Sequence, residues 1–73
     1  MGNRKQPIYT DHASDQMADR DITKEEVEFV LNEPEVTRPG DEDCLVLTAR
    51  PNGRFIKIVV PVKRPRVIIT AAD

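Results

Sequence analysis

Two short helices followed by an antiparallel β meander, with both helices on one face of the sheet, is the α+β fold this sequence predicts. Three observations point to it. Thr23-Lys24-Glu25-Glu26 reads as a capping box and leads into Val27, Val30 and Leu31, an apolar stripe at i, i+3 and i+4. Beyond Pro34 the apolar residues change from helical spacing to alternation. Asn52-Gly53 then sits between two alternating runs as a hairpin signal, because both residues accept positive φ.

The first helix is expected over His12 to Arg20, a stretch without Gly or Pro, capped by Thr10 or Asp11 and carrying acids near its start, where they favour the helix dipole. Ala13 and Met17 supply its buried side. The second helix runs from the capping box to Asn32, because Pro34 excludes Glu33 from the helical region. Phe29 lies away from Val27, Val30 and Leu31 on the helical wheel, so it packs on the first helix or marks a contact with a partner. Val36 to Arg38 forms a short strand before the Pro39-Gly40 loop.

Counting outward from Asn52-Gly53 pairs Ala49 with Ile56, Leu47 with Ile58 and Leu45 with Val60 on one apolar face. The other face pairs Arg50 with Phe55, Thr48 with Lys57 and Val46 with Val59, a mixed surface suited to partial exposure. Lys63-Arg64-Pro65 turns the chain into a last strand, Val67 to Ala71, whose Ile69 joins the apolar face. The meander thus has three or four strands. Residues 1–6 are expected to be disordered, and residues 7–73 to form a single domain.

A chain of 73 residues buries about 60% of its unfolded surface, enough for one small core. No apolar run approaches a membrane span, and the polar start lacks the apolar centre of a secretion signal, so a cytosolic protein without membrane contact is expected. The single cysteine, Cys44, excludes an internal disulfide. With only His12 beside it, a zinc site lacks soft ligands, and no cofactor is expected. Charge is divided unevenly. Residues 1–48 carry five basic and twelve acidic side chains, whereas residues 49–73 carry six and one. Such asymmetry marks a nucleic-acid face or two halves that complement each other.

Few residues carry chemistry. There is no phosphate-binding glycine loop, nucleophile elbow or paired-histidine motif, and Tyr9, Phe29 and Phe55 are too few for a stacking platform. His12, Gln16 and Arg20, at i, i+4 and i+8, form a polar stripe on the first helix. A histidine beside a cation binds phosphate or moves a proton; the same two residues also serve to fix the two ends of the helix. Arg50, Phe55 and Lys57 cluster on the outer sheet face, with Arg54, Lys63, Arg64 and Arg66 in the turns. This is either a basic patch for nucleic acid or a solvated face that discourages aggregation. Cys44, among Asp41, Glu42 and Asp43, is in a setting that opposes thiolate formation.

The string His12-Ala13-x-x-Gln16-Met17-x-x-Arg20-x-Ile22-Thr23-x-Glu25-Glu26-Val27-x-x-Val30-Leu31, with the closing Val67-Ile68-Ile69-Thr70, resembles the family called domain of unknown function 4258 over nearly the whole chain. That family looks related to the small RelE-like and BrnT-like toxins of bacterial toxin–antitoxin systems, several of which cleave messenger RNA and are neutralised by an antitoxin. The resemblance implies a prokaryotic endoribonuclease-like fold. It also implies family positions at His12, Arg20 and Thr70, and RNA, a ribosome or an antitoxin-like protein as partner. Gln16 stands where the family often has Arg, and Asp21 where it often has Gly, so a phosphate site on the first helix has lost a cation and gained an acid. For RNA cleavage, His12 would act as base or acid, Arg20, Arg50 and Lys57 would stabilise the phosphorane, and Tyr9 would donate a proton. The alternative is a non-enzymatic module that holds a protein partner, favoured by the acidic helical half and Phe29.

Overall fold

The computed structural model describes residues 6–73. The expectation of disorder over residues 1–6 therefore lies outside the described residues, except for Gln6, which is exposed. The chain is α+β, with two helices and a four-stranded antiparallel sheet. In order it forms β1 (Ile8–Tyr9), α1 (Asp11–Arg20), α2 (Lys24–Asn32), β2 (Val36–Pro39), β3 (Cys44–Ala49), a 3₁₀ turn (Pro51–Gly53), β4 (Ile56–Pro61), β5 (Val67–Ile68) and β6 (Thr70–Ala72).

Both helices begin on threonine caps. Thr10 Oγ1 accepts from Ala13 N–H at 3.1 Å and its hydroxyl donates to Ile68 O at 3.0 Å, so one side chain starts α1 and ties it to β5. Thr23 and Glu26 form the expected reciprocal box, at 3.1 and 2.9 Å. α1 ends where Asp21 adopts the left-handed conformation (φ 57°), a position that favours glycine. α2 stops at Asn32, two residues before Pro34.

The main sheet has the order β2-β3-β4-β6. Its central register is the expected one, with Leu45 opposite Val60, Leu47 opposite Ile58 and Ala49 opposite Ile56. These inward residues join Val27, Val30 and Leu31 of α2 and Ala13 and Met17 of α1 in one core. Ile56, Ile58, Val60, Val27 and Val30 are wholly buried.

Three expectations need correction. The last strand is not continuous from Val67 to Ala71. Ile69 N–H donates to Val59 O at 2.9 Å while Thr70 is the residue paired with Val59, so two residues face one, as in a β-bulge. The bulge resets the alternation. Ile68 and Ala71 are fully buried and Ile69, expected on the apolar face, is only half-buried. The second correction is β1. It pairs in parallel with β5, Ile8 with Val67 and Tyr9 with Ile68, and two residues are too few to show an alternation in sequence. Third, the ladder between β3 and β4 closes at Ala49–Ile56, leaving Arg50 and Phe55 outside it. Buried Pro51 has no N–H to give a ladder, and Gly53 and Arg54 instead donate to Arg50 O and Pro51 O, both at 3.1 Å. Asn52 (φ 57°) and Gly53 (φ 80°) still supply the positive φ values.

Candidate nucleic-acid interface

The helices bury one face of the sheet, and cross-strand pairing defines the other. Val36, Thr48, Lys57 and Ala72 form one row across it, and Arg38, Val46, Val59 and Thr70 the next. None of these residues is buried, and no described element covers them. At the 3₁₀-turn end, Arg50 and the half-exposed Phe55 carry the same parity beyond the ladder. The face is thus a floor of valines and two threonine hydroxyls beneath Arg38, Arg50 and Lys57. The acids of α1 and α2 lie in the opposite layer.

Arg38 is the residue that sequence reasoning missed. Its signal was the alternation of Val36 and Arg38 in β2, but a four-residue strand flanked by Pro34 and Pro39 gave no register. Gly40 N–H donates to Cys44 O at 2.8 Å, which places Val36 and Arg38 in the hydrogen-bonded pairs with β3. Thr37 and Pro39 then face the open edge. Proline has no donor to offer there, which blunts the edge against pairing with another strand.

The structure divides the residues singled out from sequence. Arg50 and Lys57 lie on the open face, Arg50 in an exposed ion pair with Glu35 at 3.2 Å. Such an exposed pair contributes little to stability. Arg54 is committed elsewhere. Its guanidinium donates to Arg20 O (2.5 Å), Asp21 O (2.9 Å) and Asp73 Oδ2 (2.7 Å), with Glu26 Oε1 at 3.6 Å. It thereby closes the C-terminal end of α1.

His12 and Arg20 lie at opposite ends of α1, in the layer across the sheet from Arg50 and Lys57. Eight residues of helix separate their Cα atoms by about 12 Å along the axis. His12 is exposed, and Arg20 pairs with Asp73 at 3.4 Å. Between them, Gln16 Oε1 accepts from Ala71 N–H at 3.2 Å, fastening α1 to β6. Phe29 borders a cleft with Thr23, Glu25, Glu26, Pro51 and Asn52, so it faces the 3₁₀ turn. Cys44 is half-buried, its thiol 3.7 Å from Glu42 O. Among the described residues, no three His, Cys, Asp or Glu side chains meet to hold a metal ion, and no helix is long and apolar enough to cross a membrane.

Tyr9 is buried at its hydroxyl, which has no hydrogen-bond partner among the described residues. Burial, then the charges of Glu28 and Glu25, push its phenol up to about 12. The ring carries Lys24 Nζ at 5.9 Å. A phenol held so high stays protonated and is a poor acid. Tyr9→Phe is expected to stabilise the fold by about 1 kcal/mol, since it removes an unsatisfied buried hydroxyl. The same change should also remove an alkaline instability. Because the folded value is raised, the wild type loses stability as pH climbs from the unfolded value, about 10, through about 12. Urea denaturation of both proteins across that range measures both effects.

Against known families, the one described as "Domain of unknown function (DUF4258)" matches residues 9–73. The chain belongs to the DUF4258 family. No curated protein and no solved structure matches it. The match begins at Tyr9, so in this DUF4258 chain the family region includes the second residue of β1, both helices and every later strand.

Proposed function

We propose that the open face of the sheet binds single-stranded RNA. Arg38, Arg50 and Lys57 would meet successive phosphates, the Thr48 and Thr70 hydroxyls would reach sugars, and one base would stack on Phe55. The observation that carries this reading is the distribution of charge across the domain: Arg38 and Lys57, and Arg50 with its Glu35 partner, stand on the uncovered face, while the acids of both helices stand on the far side of the core. Phosphate contacts supply most of the affinity of such a site.

The reading separates RNA binding from RNA cleavage. A 2′-hydroxyl attack needs a base, an acid and cations around one phosphorus. His12 is exposed at the start of α1 and Arg20 is paired with Asp73 at its end, and both lie in the layer opposite the basic face. The proposed activity is therefore binding, on a fold whose resemblance to RelE-like and BrnT-like toxins is itself part of the proposal. A second reading uses the same face for a protein partner of the antitoxin kind, because Val36 and Phe55 expose apolar surface there.

Fluorescence anisotropy of a labelled RNA 12-mer separates these readings. Arg38→Ala and Lys57→Ala are each expected to weaken binding and to lower the slope of log affinity against log salt by about 0.7. The RNA should be recovered intact after incubation. Affinity unchanged in both variants removes the face from consideration. Cleavage that disappears in folded His12→Ala would instead restore a catalytic role to α1.

A further inference from the structure

The segment between β4 and β5 makes two turns in succession. Arg64 N–H donates to Pro61 O at 3.2 Å, and Val67 N–H donates to Arg64 O at 3.0 Å. Ile8 is held against the second turn through its N–H to Arg66 O at 2.9 Å. Together they enclose a cleft of about 390 Å³ lined by Ile8, Lys63, Arg64, Pro65, Arg66 and Val67. Its apolar wall is Ile8, Pro65 and Val67, and the other three residues are cations.

Those cations, Lys63, Arg64 and Arg66, differ from Arg20, Arg50 and Arg54, and resemble Arg38, in having no carboxylate partner among the described residues. The amides of Lys63 and Arg66 likewise donate to no acceptor among the described residues. Three unpaired cations and two N–H groups without an acceptor among the described residues thus gather in one double turn, on a chain whose net charge is −2.

This cleft is not a continuation of the basic sheet face. Val62 N–H donates to Asp43 O at 2.8 Å, which joins the turn to the Asp41-Glu42-Asp43 loop. Three carboxyl residues thus sit at this end of the sheet and oppose a continuous polyanion. A cavity of this size, half apolar and half cationic, accommodates a small anion with a body attached. We infer that the Lys63–Val67 cleft binds a small phosphate ester of mononucleotide size, its phosphate on Lys63, Arg64, Arg66 and the two amides, its planar body against Ile8, Pro65 and Val67.

Titration of the ¹⁵N-labelled protein with adenosine monophosphate, with inorganic phosphate and with phosphatidylserine vesicles tests this. Adenosine monophosphate is expected to shift the Ile8, Lys63, Arg66 and Val67 amides saturably, more tightly than inorganic phosphate. The double change Lys63→Ala and Arg66→Ala should weaken it about tenfold or more, and Lys24→Ala should leave it unchanged. Ile8→Ala should weaken adenosine monophosphate but not inorganic phosphate. Absence of saturable shifts in the wild type overturns the inference without any variant. So do shifts confined to the sheet face, or vesicle binding without mononucleotide binding. RNA binding at Arg38 and Lys57 is read by different amides and different variants, so each site stands or falls alone.

Discussion

Ile58→Ala is expected to cost about 2 to 5 kcal/mol, a large part of the stability of a domain this small. Ile58 is wholly buried at the middle of β4, between Leu47 on β3 and Ala71 on β6, beneath the stripe of α2. Removing its outer carbons leaves a cavity that cannot collapse, because both flanking strands are held by their ladders. Leu47, its partner across β3 and also buried, should behave alike. Lys57, one residue away on the opposite face, is the internal control, and Lys57→Ala should change stability by less than about 0.5 kcal/mol. Urea denaturation of the three variants beside the wild type checks the register directly. A small loss for Ile58→Ala with a large one for Lys57→Ala would mean that the strand is turned over.

The second large effect belongs to Arg54. Arg54→Ala removes the donor to two carbonyls at the end of α1 and separates that end from Asp73 and from Glu26 at the start of α2. The expected result is a lower Tm, with loss of hydrogen-exchange protection concentrated in the last turn of α1. Arg54→Lys should restore only part of it, because an ammonium cannot span carbonyls and carboxylate as a planar fork does. The pH dependence has a defined sign. The hydrogen bond from Arg54, then its charge, holds the Asp73 carboxyl below the usual range. Its contribution is complete above the unfolded value and is lost as pH falls through the lowered folded one. The gap between wild type and Arg54→Ala should therefore narrow in acid, and it should narrow with added salt. A gap independent of both would leave the carbonyl bonds as the whole of its role.

Arg54 also shows how far a candidate site can be read without coordinates. In sequence it is a cation in a turn beside Arg50 and Lys57, and nothing local distinguishes it from them. Its acceptors lie 33 and 34 residues away at the end of α1, and Asp73 at the end of the chain. Arg38 is the converse, a residue whose short alternation carries no register and which strand pairing brings onto the same face as Lys57.

What the sequence by itself determined was everything settled within one helix end or one hairpin. The Thr23–Glu26 box, the stop before Pro34 and the register from Leu45 to Val60 all follow from side chains acting on nearby backbone or across a single hairpin. Asn52-Gly53 centred that hairpin correctly even though Pro51 replaced the two-residue turn with a 3₁₀ turn. Only the tertiary structure decided the rest. β1 exists because Ile8 and Tyr9 find Val67 and Ile68 from the far end of the chain, and the bulge at Ile69 exists because the chain there serves β1 on one side and β4 on the other. The separation of His12 and Arg20 from Arg50 and Lys57 has the same origin. Periodicity reports which face of an element is buried, but which exposed faces end up together depends on how the layers stack, and contacts between distant residues fix that.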